Sequence, residues 1–528
     1  MRKAIAALGA ATLSLTLSVA ITPSASAAPV CATAAGVETC TGTLTNGAGY
    51  VFKVPAKFGG TMFFWEHGFR PTYPGVSAVP TGVEEITPGN SVTGTDVTAE
   101  MLRAGYGVVA YDGTVKGMRG WNNTFRIEML KEVIDTAMAK YGTRIQYKVV
   151  YGSSQAGSIV TPFVEKYPDY ADALGIMAGT TPSIADSLQS ACDIFYLLSI
   201  FADPTIKGCA AMGVKGVPGH MASVGELLKV VALLTTWSKN LGAPGLEHPA
   251  ALKGSPIPQR SALLLTGLLT GVPTKSAHMD GISTNAVIPE HSINATVAIL
   301  ENLGEAVATG TLAGQSISEI TGPGFYDNTQ TDWASLLDEG DAGRYNLGLS
   351  GDEAITAMMG VLAAAPRVTG NADAVAKFKA LDKSAFNSTI PTITLSNEAD
   401  RLVFAGNSVR YVDKKRAVYE AALEKWQANK QGKKPVWNTL ALYAMTPETY
   451  TKFTAAGLPD LAGAPAESGV GHQTFSKAQT MAWVRMLAFA AKSGKIPTGA
   501  YVEYIAKKVP YLNDDLDYRP AELKYNFG

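Results

Sequence analysis

Residues 146–157 read Gln146-Tyr147-Lys148-Val149-Val150-Tyr151-Gly152-Ser153-Ser154-Gln155-Ala156-Gly157, a β-rich run that ends in a small-x-Ser-x-small turn. Val149, Val150 and Tyr151 in succession favour a strand buried on both faces. Gly152 and Ala156 flank Ser154 and are small enough for the backbone to reverse tightly there. A hydroxyl on such a strand-to-helix turn projects from the end of a sheet, and the N–H of Gln155, at the helix start, would face a developing oxyanion. Two other stretches approach the pattern, Gly314-Gln315-Ser316-Ile317-Ser318 and Gly348-Leu349-Ser350-Gly351-Asp352; neither follows a strand-like run. Pro162 lies beyond the first turn of the expected helix, where a proline removes a helical hydrogen bond.

Outward from this turn, the first third of the chain alternates apolar runs with amphipathic stretches, the pattern of an α/β fold around a mostly parallel sheet. Strands are expected at 49–54, 61–65, 107–111, 146–151 and 173–177. A crossover helix is expected at 124–141, where Ile127, Leu130, Val133, Ile134 and Ala137 recur at helical spacing. After Thr181 the pattern becomes long Leu- and Ala-rich helices, at 226–237, 262–271, 297–309 and 353–365, with Gly- and Pro-rich joints. Strand character returns at 391–396 and 439–444, and a last helix is expected at 476–492. The division that follows is an export signal at 1–27, a first core part at 28–182, a helical cap or lid at 183–385, and a second core part with a C-terminal tail at 386–528.

At 528 residues the chain exceeds what one hydrophobic core usually fills. A formal net charge of −1 and the lack of long Lys or Arg runs argue against a nucleic-acid partner. Arg2 and Lys3, the apolar stretch that follows, and Ala25-Ser26-Ala27 read as a cleavable export signal, so the mature protein is expected outside the cell, without stable membrane insertion. The four cysteines fall as two close pairs, Cys31 with Cys40 and Cys192 with Cys209, and an oxidising compartment makes both expected disulfides. Neither pair has metal-ligand spacing, and no metal or cofactor is expected.

A serine hydroxyl needs a base within hydrogen-bond reach and a carboxylate to orient that base. Of the six histidines, His67 precedes a glycine near the start of the sheet, and His220, His248, His278 and His291 lie in the helical insertion. His472 lies in Gly469-Val470-Gly471-His472-Gln473-Thr474-Phe475, a loop before the last helix, and is the candidate base. Thr392-Ile393-Thr394-Leu395-Ser396-Asn397-Glu398-Ala399-Asp400-Arg401-Leu402-Val403 is a strand emptying into an acidic loop. Asp400 is the candidate acid. Glu398 could serve instead, and a loop carboxylate paired with Arg401 is the plainer alternative.

Taken in chain order, strand-Gly-x-Ser-x-small, then the acidic loop, then Gly-His-Gln before a final helix resembles the α/β-hydrolase superfamily. The resemblance covers roughly 45–182 and 388–492. Ala156 stands where the family more often has glycine. The resemblance implies a hydrolase core with Ser154, Asp400 and His472 as the triad. It also gives meaning to Phe63-Phe64-Trp65-Glu66-His67-Gly68-Phe69: the N–H of Phe69 would be the second oxyanion donor beside Gln155, and His67 would shape the turn. By the same likeness Asp112, after the strand at 107–111, is structural.

The expected reaction is acyl transfer to water on a small or oligomeric carboxylic ester. An exopeptidase of the same fold is the alternative within enzymes; it would need a cap carboxylate to grip a free amine, the candidates being Asp280, Glu290, Glu301 and Glu305. A catalytically silent hydrolase fold used as a binding module is the alternative outside them. The apolar stretch with Leu227, Leu228, Val231, Leu233, Leu234 and Trp237 suits an acyl pocket, or simply the core of the cap.

Overall fold

The computed structural model describes residues 28–71, 82–89, 94–114, 119–181, 183–239, 259–281, 289–338, 352–513 and 515–527. The expected export signal, His248 and the Ser350 turn lie outside the described residues, as do the side chains of Glu290 and His291.

Among the described residues, nine strands form one sheet: β1 (Val30–Ala34), β2 (Val37–Thr43), β3 (Gly49–Pro55), β4 (Thr61–Glu66), β5 (Gly107–Tyr111), β6 (Tyr147–Ser153), β7 (Ala173–Met177), β8 (Thr392–Asn397) and β9 (Thr439–Ala444). Their order is β1-β2-β3-β5-β4-β6-β7-β8-β9. Pairs from β1 to β5 are antiparallel, and every pair from β5–β4 to β8–β9 is parallel. Together with the serine turn after a central strand and the helical excursion between β7 and β8, this is an α/β-hydrolase fold.

Side-chain alternation explains why the parallel strands are apolar throughout. Phe63 and Trp65 of β4 and Val149 and Tyr151 of β6 point to one face; Met62, Phe64 and Val150 point to the other. The first face is covered by α1 (Thr98–Arg103), α12 (Lys477–Ser493) and α13 (Gly499–Ala506), the second by α2 (Asn123–Tyr141), α3 (Gly157–Lys166) and α11 (Gly406–Asn429). With helices on both sides, neither face of these strands meets water.

Between β7 and β8 run α4 (Ile184–Phe201), α5 (Val217–Lys239), α6 (Gln259–Thr270), α7 (Pro289–Thr321), α8 (Trp333–Leu336), α9 (Asp352–Ala364) and α10 (Ala372–Lys379), and no strand is found there among the described residues. They share a hydrophobic cluster of their own, with Val230, Leu234 and Trp237 of α5 inside it and Leu227 and Leu233 packed against it. Leu228 and Val231 face outward.

Several sequence expectations need correction. Strands β1 and β2 were not anticipated; they form a hairpin in which Ala35 (φ 50°) and Gly36 (φ 75°) supply the two left-handed positions a two-residue turn needs. Cys31 and Cys40 face each other across it and are bonded, as are Cys192 and Cys209. Helix α7 runs far beyond 297–309. Gly310 and Gly314, which look like joints, lie inside it, where a Cβ would come within 2.9 Å of the Phe195 ring and 3.0 Å of the Met212 sulfur. These glycines allow close packing of helices. Helices α4, α10 and α11 were also not delineated from the pattern. Pro162 is carried within α3, which continues to Lys166.

The C-terminal tail crosses from core to cap. Phe527 N–H donates to Asp186 at 2.7 Å, Tyr525 donates to Asp193, and Lys524 Nζ reaches Leu336 O at 2.8 Å. Burial pushes the Asp193 carboxyl up to about 7, despite hydroxyls from Tyr326 and Tyr525.

Candidate active site

Ser154 occupies the turn between β6 and α3 with φ at 58°, a left-handed conformation that a non-glycine residue adopts only under constraint. The constraint is visible in the neighbouring glycines. A Cβ on Gly152 would lie 2.5 Å from both the Ala156 Cβ and the Glu66 carbonyl oxygen, and one on Gly157 would lie 2.9 Å from Gly179. Side chains at either position would push the turn off the sheet. Ser154 is buried, 7% exposed.

The loop after β8 supplies Asp400, which is fully buried. Its Oδ1 accepts from Leu402 N–H and Val403 N–H, both at 2.9 Å, and its Oδ2 faces His472 Nδ1 at 2.8 Å. Both carboxylate oxygens are therefore held. Glu398, two residues earlier, turns away: Lys275 Nζ donates to it at 2.7 Å, and the N–H and hydroxyl of Thr446 at 2.8 Å each. Arg401 pairs with Glu305 of α7 rather than with Asp400.

The histidine loop is zipped to the acid loop through its backbone. Ala399 N–H donates to Gly469 O at 2.8 Å, Gly471 N–H to Ala399 O at 3.2 Å, and the Asn397 amide to Gly471 O at 2.9 Å. Gly469 (φ 76°) has no room for a side chain, since a Cβ there would sit 2.4 Å from Met445. A capping box between Ser476 and Gln479 starts α12 directly after the loop.

With Nδ1–H directed at Asp400, His472 Nε2 is left as the acceptor. Its partner here is the Gln473 amide nitrogen at 3.0 Å, not Ser154. Gln473 and Ser154 nonetheless converge on one point. A Cβ built on Gly68 would lie 3.0 Å from Ser154 Cβ and 3.6 Å from Gln473 Nε2. Gly68 thus keeps open the space between Ser154 and Gln473, next to Phe69.

Beneath that space lies a buried charged cluster. Arg126 of α2 is 1% exposed and pairs with the fully buried Glu66 at the end of β4. It donates to Gly68 O at 3.3 Å, to His67 O, and to Gln155 Oε1 at 2.9 Å, and its Nη2 lies 3.1 Å from His67 Nδ1. The Gln155 amide nitrogen donates in turn to Gly120 O at 2.9 Å and Asn123 Oδ1 at 2.8 Å. Burial, reinforced by the Arg126 charge, holds the His67 imidazole well below its usual range, so it is neutral and packed against Gly113. Burial likewise pushes the Glu66 carboxyl up, against the pull of Arg126 and of the Tyr111 hydroxyl.

The other predicted residues are engaged with partners of their own. Ser316 is in α7 and accepts from Trp121 N–H at 2.7 Å. His220 pairs with Glu319 and His278 with Glu301, both within the cap. Asp280 accepts from Tyr450 N–H at 3.1 Å, so Asp280, Glu301 and Glu305 are each engaged. Asp112 Oδ1 accepts the N–H and hydroxyl of Thr114 at 2.8 and 2.7 Å, closing a turn. Sequence reading passed over Arg126, Glu66 and Gln473.

No protein-family model matches the chain, and no curated protein matches it. Among solved structures, the chain is similar to feruloyl esterase B from Aspergillus oryzae (11% identity, 89% of this chain and 86% of that one, TM-score 0.35). It is also similar to the tannin acyl hydrolase from Aspergillus niger (13%, 90% and 83%, TM-score 0.32) and to a thermophilic esterase from Thermogutta terrifontis (10%, 88% and 99%, TM-score 0.28). The fold assignment stands on the sheet order and the site on its own geometry.

Proposed function

We propose that this chain is a secreted serine hydrolase that cleaves carboxylic esters through an acyl-enzyme on Ser154. The observation that carries the reading is the 2.8 Å contact between His472 Nδ1 and the doubly anchored Asp400 carboxylate, in a loop that converges with the strained Ser154 turn on Gly68. In this mechanism substrate displaces the Gln473 amide from His472 Nε2. The freed nitrogen takes the Ser154 proton as Oγ attacks the ester carbonyl, and Asp400 holds the imidazole in the tautomer that permits it. The N–H groups of Gln155 and Phe69 receive the oxyanion. His472 returns the proton to the leaving alcohol, and water then repeats the sequence on the acyl-enzyme.

Among the candidate cap carboxylates whose side chains are described, Asp280, Glu301 and Glu305 are already occupied by backbone N–H groups, a histidine or an arginine, which favours ester cleavage over exopeptidase action. A carboxylate so engaged is a poor anchor for a substrate ammonium group. Two disulfides suit an exported protein.

The test is fluorophosphonate labelling with peptide mapping, combined with p-nitrophenyl ester turnover by wild type and Ser154→Ala. Labelling at Ser154 and a loss of roughly 10⁴-fold or more in kcat in the variant are expected. A folded wild-type protein that neither labels nor turns over esters would leave the fold as a binding module.

A further inference from the structure

We infer that Arg126 is a positioning residue that sets both oxyanion donors at once; the inference rests on the hydrolase reading above. An N–H can stabilise an oxyanion only if its peptide plane is oriented before the charge appears, because reorientation during the reaction would cost part of the gain. The N–H of Phe69 and the C=O of Gly68 belong to one peptide plane and point to opposite edges of it. Arg126 Nη1 donates to that Gly68 oxygen at 3.3 Å, beside His67 Nδ1 at 2.8 Å from the same oxygen, so guanidinium and imidazole together hold the plane from behind and direct the Phe69 N–H away from themselves. Its Nη2 holds the preceding plane through His67 O. The same Nη1 donates at 2.9 Å to Gln155 Oε1, on the residue whose N–H is the other donor. The two donors come from different elements, the exit of β4 and the start of the helical segment after β6, and one planar cation spans both.

The surroundings suit that role. Glu66 neutralises the guanidinium, so Arg126 contributes orientation rather than net charge to the oxyanion. Gly120 O and Asn123 Oδ1 hold the far side of the Gln155 amide, which leaves Oε1 facing Arg126. Lysine keeps the charge but offers a single compact ammonium, which cannot reach Gly68 O, His67 O and Gln155 Oε1 together in the fixed fork of arginine. Arg126 touches neither substrate nor reacting atoms in this scheme.

The experiment compares wild type, Arg126→Lys and Gln155→Met, each counted by fluorophosphonate titration of Ser154 so that misfolded protein does not enter the rate. Arg126→Lys should lower kcat roughly 10- to 100-fold, less than complete loss of an oxyanion donor, with KM nearly unchanged. The inhibition constant of a trifluoromethyl ketone, which forms a tetrahedral oxyanion on the serine, should rise by the factor by which kcat/KM falls. Gln155→Met leaves the Arg126–Glu66 pair intact and should reproduce a smaller part of the same loss; if Arg126→Lys does not fold, it decides alone. A folded variant with wild-type kcat and ketone affinity would overturn the role of Arg126 while leaving the hydrolase reading in place. Absence of Ser154 labelling in wild type would remove that reading first.

Discussion

The two walls of the site are built by different means. On the serine wall, side chains far apart in sequence (Glu66, His67, Tyr111, Arg126 and Gln155) form a buried charged cluster beneath the ends of β4 and β6. On the histidine wall, two loops are laced by backbone hydrogen bonds and by glycines in left-handed conformations, and Asp400 is held by two N–H groups of its own loop. A wall made of backbone can lose a side-chain charge and keep its shape. A wall made of buried charges cannot, because a remaining ion is stranded without solvent.

The largest effect expected from this contrast is chemical. Asp400→Asn retains an oxygen for Leu402 N–H and Val403 N–H, but turns an amide donor toward His472 and forces the wrong tautomer. Steady-state kinetics should then show kcat reduced roughly 10³- to 10⁴-fold with the melting temperature little changed. A large loss of stability instead would show that the histidine wall also depends on its charge.

Glu66→Gln should do the reverse on the opposite wall. It leaves the Arg126 guanidinium buried without its anion, and denaturant unfolding should report a loss of roughly 3–5 kcal/mol. Unchanged stability would mean that the hydrogen bonds to carbonyls suffice and that the two walls are less different than the contacts indicate.

The smallest effect belongs to Glu398→Gln. Its cationic partner Lys275 is partly exposed while Thr446 is buried, so about 1 kcal/mol of stability and no change in kcat are expected. A loss of turnover like that of Asp400→Asn would move the orienting carboxylate to Glu398.

Much of the core was legible because its strands are buried on both faces and read as continuous apolar runs, as in Thr61-Met62-Phe63-Phe64-Trp65. Helix α2 was legible from its spacing, and that spacing also contained an unread signal. Arg126 stands four residues before Leu130 and seven before Val133, in register with the buried stripe, and a charge in that register demands a buried partner. Glu66, the single charge closing an apolar strand, was the matching half. Helix α7 was read too short because glycine ends an isolated helix more readily than it continues one, whereas here Phe195 and Met212 pack where Cβ atoms would stand.

The sequence by itself determined the strand-then-helix order, the small residues that permit a serine turn after β6, and the pairing of close cysteines, because each depends on residues near one another in the chain. Only the tertiary structure decided that Asp400 rather than Glu398 meets His472, that the Gln473 amide meets His472 Nε2, and that one guanidinium spans Gly68 and Gln155. Those choices depend on which groups, distant in sequence, meet away from water, and a buried polar group takes whichever partner the packing brings within hydrogen-bond distance.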